Sequence, residues 1–500
     1  MEYIVVQAGG KGTRLEYLTE NKPKALVPVQ NLPMLFHLFS KYPDKKFVII
    51  ADYMKEVLKE YLMVFAKVKY QVIETSDTGT CAGVKKAIEL IPDKQPFMLI
   101  WSDLILPESF DLPEEYKEKQ PKHNYIGISH TFFCRWSYTD GKFEEEKSAE
   151  NGVAGFFLFT DKKEIIDVPE SGELVRWMQQ TGKIYKKISL AGTKEFGILE
   201  EYNQLGQEKC RPFNRITIDG ELLIKEAIDE QGEKLAKREC AWYEKAKHLN
   251  SSIIPRIYGT NPLKMEYIKG KNIYEINLDY DSKRIVLQQL VAALKQLHQS
   301  EQIPADSFSM KEAYYKKTMD RLAGLQDLIP FAREREIIIN GKKCRNIYYH
   351  KKQLEKRLEE LYCEQFEFIH GDCTFSNMML REDGSPVLID PRGYFGFTEL
   401  YGDVRYDWAK LYYSIIGNYD RFNLKDFRLS FCDNKVELSI ESNNWEDMEN
   451  DFFTLTGSNK EEIKLLHAVI WLSLTTYAWQ DYDSVCGAFY NGLYYLEDVL

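Results

Sequence analysis

The chain has 500 residues, more than one hydrophobic core usually serves, so two or three domains are expected. Its 44% hydrophobic and 13% aromatic residues, with charges of both signs spread along the chain, exclude a disordered protein. A net charge of -11 without a long basic run excludes nucleic acid as the main partner.

Met1–Val6 is strand-like and runs straight into a glycine turn, which leaves no room for a signal peptide. No apolar stretch approaches the roughly 20 residues needed to cross a bilayer. The nine cysteines show no C-x-x-C pair or metal-ligand spacing, the pattern of reduced thiols, so neither a disulfide nor zinc is assigned. A cytoplasmic protein without membrane partners is expected, and a homo-oligomer is left open.

In chain order, Tyr3–Val6, Phe47–Ala51, Tyr70–Ile73 and Phe97–Ile100 read as buried strands separated by helical patterns. Strands alternating with helices predict an α/β domain with a mainly parallel sheet. The pattern changes near residues 203–210. Arg215–Ile218 and Leu222–Ala227 flank Asp219-Gly220 as a hairpin, and a helix follows over Gly232–His248. Beyond Tyr274 the pattern is largely helical, including Lys351–Tyr362 and an aromatic-rich end from Glu461.

Ala8-Gly9-Gly10-Lys11-Gly12-Thr13-Arg14-Leu15 follows the first strand, at the carboxyl edge where parallel sheets bind ligands. Glycines let backbone N–H groups approach phosphate, and Lys11 and Arg14 supply charge. Ala8, Gly9, Gly10, Gly12 and Thr13 are therefore candidate nucleotide contacts. Asp103 closes the strand Phe97–Ile100 beside this loop, where an oxygen ligand for Mg²⁺ has a purpose.

Lys22-Pro23-Lys24-Ala25-Leu26-Val27-Pro28-Val29 follows the glycine loop, and the combination resembles the sugar-phosphate nucleotidyltransferase family over residues 1–203. The resemblance implies that Arg14 stabilises the triphosphate as pyrophosphate leaves and that Lys24 holds the phosphates in line. It further implies Glu195, in Lys194–Tyr202, as a second metal acid, and Lys147, after Glu146, as a grip on the acceptor's phosphate. The stretch from Glu74 to Gly79 and Thr80 falls where this family reads the base. A carboxylate there can accept from the amino group of cytosine or the N–H pair of guanine, which favours CTP.

Phe368-Ile369-His370-Gly371-Asp372, with Asn377 and the strand Val387–Asp390 after a turn at Asp383-Gly384, forms an oxygen-rich site suited to Mg-ATP. Upstream, Lys225 stands on the second hairpin strand and Glu239 on the following helix, the lysine–acid pairing that kinases use. These residues resemble the aminoglycoside phosphotransferase and choline kinase superfamily over residues 210–430. The resemblance implies that Asp372 orients or deprotonates the acceptor hydroxyl and that Asn377 and Asp390 hold metal ions. Glu266 and Ile268, in Met265–Gly270, look like the hinge that binds adenine through the backbone. Arg211-Pro212-Phe213-Asn214 stands where a glycine loop is usual. Asp403 and Asp407 read as structural.

The expected organisation is a nucleotidyltransferase domain over 1–205 and a two-lobed α+β kinase-like domain over 206–500, with lobes 206–272 and 273–500. The two resemblances together imply a bifunctional enzyme. One domain phosphorylates a small alcohol (sugar, polyol, choline-like or amino alcohol) with ATP; the other transfers a nucleoside monophosphate to that phosphate, releasing pyrophosphate. Its product would be a nucleotide-activated precursor for capsule or other surface glycan synthesis. The alternative is a nucleotidyltransferase with a kinase-like domain that only binds a regulatory ligand.

Overall fold

The computed structural model describes residues 1–76, 79–118, 121–205, 214–247, 249 and 252–500. Two compact units are separable, Met1–Lys209 with Gln480–Tyr482, and Cys210–Trp479 with Asp483–Leu500. Among the described residues no helix is long and apolar enough to cross a membrane.

The first unit is built on a nine-stranded sheet whose centre is parallel, in the order Lys69–Glu74, Lys46–Ala51, Tyr3–Gln7, Phe97–Trp101. Val5, Val48 and Leu99 are buried, as a strand covered on both faces requires. Gly152–Phe159 adds antiparallel to Phe97–Trp101. The chain builds outward from Tyr3–Gln7 on one side, then returns to place Phe97–Trp101 on the other. The crevice between these two strands is therefore the topological switch point, where open α/β sheets bind ligands. Gln7 pairs with Trp101 at that edge, and Ser102 N–H donates to Gln7 O at 3.1 Å.

In the second unit, Asn214–Asp219 and Leu222–Ala227 form a hairpin whose register matches Asp219 to Leu222, and Leu263–Glu266 and Ile257–Thr260 complete an antiparallel sheet. The helix Glu230–Ala246 is capped by Asp229, whose carboxylate accepts from Gly232 N–H at 2.6 Å. Trp242, three residues after Glu239, stacks on Phe368 and donates from its indole N–H to Ile369 O at 2.8 Å. One aromatic side chain thus fixes this helix against the strand that feeds residues 370–377. Helices make up much of the remainder, among them Tyr280–His298, Ile347–Glu359, Val404–Ile415 and Lys460–Leu474.

One departure from the helical expectation is a four-stranded sheet of Lys342–Arg345, Glu336–Ile339, Lys435–Ile440 and Phe427–Cys432. Its hairpins turn at Asn340-Gly341 and Asp433-Asn434, all four with positive φ. That is the two-residue hairpin loop favoured by strand twist, and the Asn-Gly dipeptide was its signal in the sequence.

Val404–Ile415 carries Asp407, fully buried on its first turn. Its carboxylate accepts from His370 N–H at 2.9 Å and Gly371 N–H at 2.7 Å, and His298 Nε2 lies 2.9 Å away. Burial alone pushes this carboxyl up, but the His298 contact and the loop N–H groups more than offset it and hold it below the ordinary value. A depressed carboxyl contributes stability above its unfolded pKa of about 3.9 and loses it as pH falls through the lower folded value. Asp407→Asn turns an amide N–H toward a donor. It should lower the unfolding free energy of this unit by about 3 kcal/mol, read from the C-terminal transition in denaturant titrations of the full chain. The acid-dependent part of the wild-type stability, below about pH 4, should shrink in the same variant.

Candidate active sites

At the switch point, Ala8 is buried and donates its N–H to Ile50 O at 2.9 Å, which fixes where the loop leaves the sheet. Gly12 has φ +65, and a Cβ there would stand 3.0 Å from Lys24 Cβ and 3.0 Å from Thr19 Cγ2. Glycine is needed at this turn for conformation and space together. Gly9 lies against Asp52, Gly10 faces open space, and Thr13 and Arg14 are exposed.

Lys24 is placed by its neighbours. Ala25, Leu26, Val27 and Val29 are buried, and Leu15, Val27, Val29, Met34 and Phe196 form one apolar cluster. With that segment anchored, Lys24 Nζ reaches Asp103 Oδ2 at 2.5 Å. Asp103 Oδ1 is buried and, among the described residues, has no hydrogen-bond partner. The two-residue strand Lys194–Glu195 pairs with Leu104–Ile105, so Glu195 comes beside Asp103, and Phe196 N–H donates to Asp103 O at 3.2 Å. Arg14 Nη2 lies 4.0 Å from Glu195 Oε1. Arg14, Lys24, Asp103 and Glu195, drawn from three distant segments, meet at one edge.

Among the described residues no three His, Cys, Asp or Glu side chains converge as a ready-made metal cage. Two carboxylates, one with a buried oxygen lacking a partner, fit Mg²⁺, which takes few protein ligands and completes its shell with phosphate and water.

Glu74 and Lys147 stand apart from this group. Glu74 ends the strand Lys69–Glu74, and its two oxygens hold Lys59 at 2.8 Å and Lys55 at 3.1 Å. Those lysines keep its carboxyl below the ordinary value, so a base edge has to compete with two ammonium groups. Gly79 caps the helix Thr80–Glu89; Asp77 and Thr78 of the same stretch lie outside the described residues. Lys147 lies 4.8 Å from the ring centroid of Phe133 and lines a cleft of about 470 Å³ with Ser137, Thr139 and Asn151.

In the second unit Lys225 is buried, and its ammonium contacts Glu239 at 2.8 Å and Asp390 at 2.8 Å. Burial pulls this lysine down, but Asp390 and Glu239 more than restore it and hold it above its ordinary value. Asn377 Nδ2 donates to Asp372 O and to Asp372 Oδ2, each at 3.0 Å, and Ile389 N–H donates to Asn377 O at 3.0 Å. Asn377 and Asp390 are therefore held on adjoining backbone, with Asp390 at φ +54. Two oxygen-bearing side chains on adjoining backbone, with Asp390 against Lys225, would hold Mg²⁺, which would supply charge to a nucleotide's phosphates.

Sequence reasoning missed Lys410. Its ammonium lies 3.0 Å from Asp372 Oδ1. Burial pushes Asp372 up, but Lys410, aided by Arg392, holds it below the usual carboxylate value. The only signal was the lysine closing the Asp407-Trp408-Ala409-Lys410 run.

Glu266 pairs with Arg381 at 2.5 Å and accepts from Arg256 N–H at 3.1 Å, so its side chain is committed to the sheet, while Ile268 is buried. Residues 211–213 lie outside the described residues.

Comparison with known proteins agrees with this division. Residues 3–136 match the family model described as nucleotidyl transferase, and residues 250–427 that described as phosphotransferase enzyme family. A bifunctional protein GlmU of Methanococcus maripaludis is 30% identical over 115 residues, 23% of this chain and 27% of the relative. The UTP--glucose-1-phosphate uridylyltransferase AglF of Haloferax volcanii is 45% identical over 60 residues, 11% of this chain and 25% of the relative. The chain spans between 24% and 39% of the length of such curated relatives. HddC from Yersinia pseudotuberculosis, a solved structure, is 19% identical with a TM-score of 0.36, covering 42% of this chain and 99% of that one. The chain thus joins a nucleotidyl transferase domain to a phosphotransferase-family domain.

Proposed function

We propose that the chain is a bifunctional enzyme that makes a nucleotide-activated metabolite. The C-terminal unit transfers the γ-phosphoryl group of ATP to a small alcohol. The N-terminal unit joins the resulting phosphate to a nucleoside monophosphate from an NTP and releases pyrophosphate. Lys225 carries this proposal: a buried ammonium held at 2.8 Å by both Glu239 and Asp390 is costly to build, and a lysine oriented by acids in this way is what phosphate binding calls for. A domain retained only to bind a regulator has no need of the Asp372–Asn377 pair beside it.

Within the proposal, Lys24 and Arg14 supply positive charge to the leaving pyrophosphate oxygens. Asp103 and Glu195 in one unit, and Asn377 and Asp390 in the other, would hold Mg²⁺, which would supply positive charge for phosphate oxygens. Asp372, kept ionised by Lys410, accepts or aligns the acceptor's hydroxyl proton. Lys147 takes the acceptor phosphate from its cleft. The CTP preference rested on Glu74, whose oxygens are engaged by Lys55 and Lys59, so the NTP is proposed without its base. Cytoplasmic synthesis of surface glycan precursors is the setting this chemistry suits.

Lys24→Ala and Asp103→Ala should each abolish pyrophosphate release while leaving ATP-dependent phosphorylation intact, with melting curves excluding a collapsed fold. Loss of both activities together would refute independent sites.

In the kinase half, Asp372→Asn should keep Mg-ATP binding in calorimetry yet lose transfer by roughly 10²-fold, the scale of general-base catalysis. Asp390→Asn should weaken Mg-ATP binding itself. Near-wild-type turnover in Asp372→Asn would return the domain to ligand binding.

A further inference from the structure

Around Asp372 the second unit gathers five cations from four separate segments. Arg238 comes from Glu230–Ala246, Lys317 and Arg321 from the helix Lys317–Leu322, Arg392 from the loop after Asp390, and Lys410 from Val404–Ile415. Two tyrosines tie them together. Arg392 donates from Nη1 to the Tyr406 hydroxyl and from Nη2 to the Tyr394 hydroxyl, each at 2.7 Å. Arg238 and Arg392 each lie 4.3 Å from the ring centroid of Tyr394, and Lys317 Nζ lies 5.6 Å from that of Tyr406. Arg321 lies 5.2 Å from the ring of Tyr477 and donates to Ser473 O. Arg392 N–H donates to His370 O at 2.9 Å, which sets this arginine directly against the loop that carries Asp372.

The charge is not balanced by protein. Lys410 pairs with Asp372, but among the described residues Arg238, Lys317, Arg321 and Arg392 have no carboxylate within 4.0 Å. All five are half-buried, neither fully solvated nor sealed from solvent. Lys317 and Arg321 stand one turn apart on one helix face, a like-charge spacing that disfavours the helix. Burial, followed by the charges of Arg392, Arg321 and Lys410, drives Lys317 well below its ordinary value. Tyr394 is pushed up by burial, yet Arg392, Arg238 and Arg321 bring it below the ordinary phenol value. Half-buried cations that meet only neutral partners cost stability unless something anionic completes the set.

We infer that the acceptor of the kinase unit is an anionic alcohol, a hydroxyl compound that already carries a carboxylate or phosphate, held by Lys317, Arg321 and Arg392 with its free hydroxyl at Asp372. The inference rests on the kinase reading of this unit and names its substrate class. A choline-like or aminated acceptor would meet the same cations as repulsion, and a neutral sugar would leave them unpaired. In the transfer, the bond from the γ-phosphorus to its bridging oxygen breaks, the alcohol oxygen bonds to that phosphorus, its proton passes to Asp372 or solvent, and ADP leaves.

The test uses the full-length chain with Mg-ATP, following ADP release with D-glycerate, glycerol 3-phosphate and glucose 6-phosphate, against glycerol, glucose, choline and ethanolamine. An anionic member should exceed its neutral counterpart in kcat/KM by roughly 10²-fold, the scale of leaving a buried charge unpaired. Lys317→Met and Arg321→Met should each raise KM for that alcohol about tenfold or more with the KM for ATP little changed, as loss of one charge-assisted contact predicts. Best turnover with choline, ethanolamine or a neutral sugar would overturn the inference, as would variants that raise the KM for ATP alone. If no alcohol yields ADP, the kinase reading fails, and calorimetric titration with D-glycerate and inorganic phosphate decides the rest. Anion binding that Lys317→Met abolishes would uphold the anion site, and no anion binding would sink it.

Discussion

The ammonium of Lys225 is the contact on which the catalytic geometry of the second unit depends. It lies between Glu239 on a helix and Asp390 at the end of a hairpin, so one buried charge measures the distance between three elements at once. Two carboxylates around one cation offset the cost of burying all three, which neither ion pair alone would do. Trp242 fixes the same helix through a stacking contact with Phe368 and a hydrogen bond to Ile369 O, so apolar packing and charge pairing hold the helix in one position. The strand ending at Phe368 then delivers residues 370–377, and Asp407 accepts the main-chain N–H groups of that loop.

The parts legible in the sequence were those encoded locally. Alternating short apolar runs gave the parallel strands, because residues buried on both faces leave no polar alternation, and Asp219-Gly220 gave the hairpin because its turn needs those residues. The sheet formed by Glu336–Ile339, Lys342–Arg345, Phe427–Cys432 and Lys435–Ile440 was not read. Its two hairpins lie far apart in sequence, and the helices between them dominate the periodicity. Motif spacing nominated Lys24, Asp103, Asp372 and Asp390, but it carried no information on what each touches. Glu74 shows the limit: a carboxylate at the expected place along the chain turns out to hold Lys55 and Lys59.

Both units treat their nominated acids alike. Asp103 holds Lys24, Asp390 holds Lys225 and Asp372 holds Lys410, each within 3.0 Å. Asp372, which Lys410 holds below the usual carboxylate value, is thereby kept in the form that can accept a proton. The pairing also keeps each lysine at the place where phosphate oxygens are expected, so the charges are in position before a nucleotide binds and little reorganisation remains.

The cation cluster could not be found by motif, since Arg238, Lys317, Arg321, Arg392 and Lys410 come from segments spread over more than a hundred residues, and none is remarkable where it stands. Folding gives them meaning by bringing them together with one carboxylate among them. That imbalance separates two roles for positive charge within one unit. Lys225, matched by two acids, is satisfied by protein alone, and the proposal assigns it to the nucleotide side. Among the described residues Lys317, Arg321 and Arg392 have no carboxylate within 4.0 Å, which is why the proposal assigns them to an incoming anion. A site that recognises a group by leaving its own charges unpaired rejects compounds lacking that group more strongly than it rewards those that carry it, because rejection exposes the cost of burial. Under the proposed reading, selectivity of this kind lets the product carry both the original anion and a new phosphate into the second reaction.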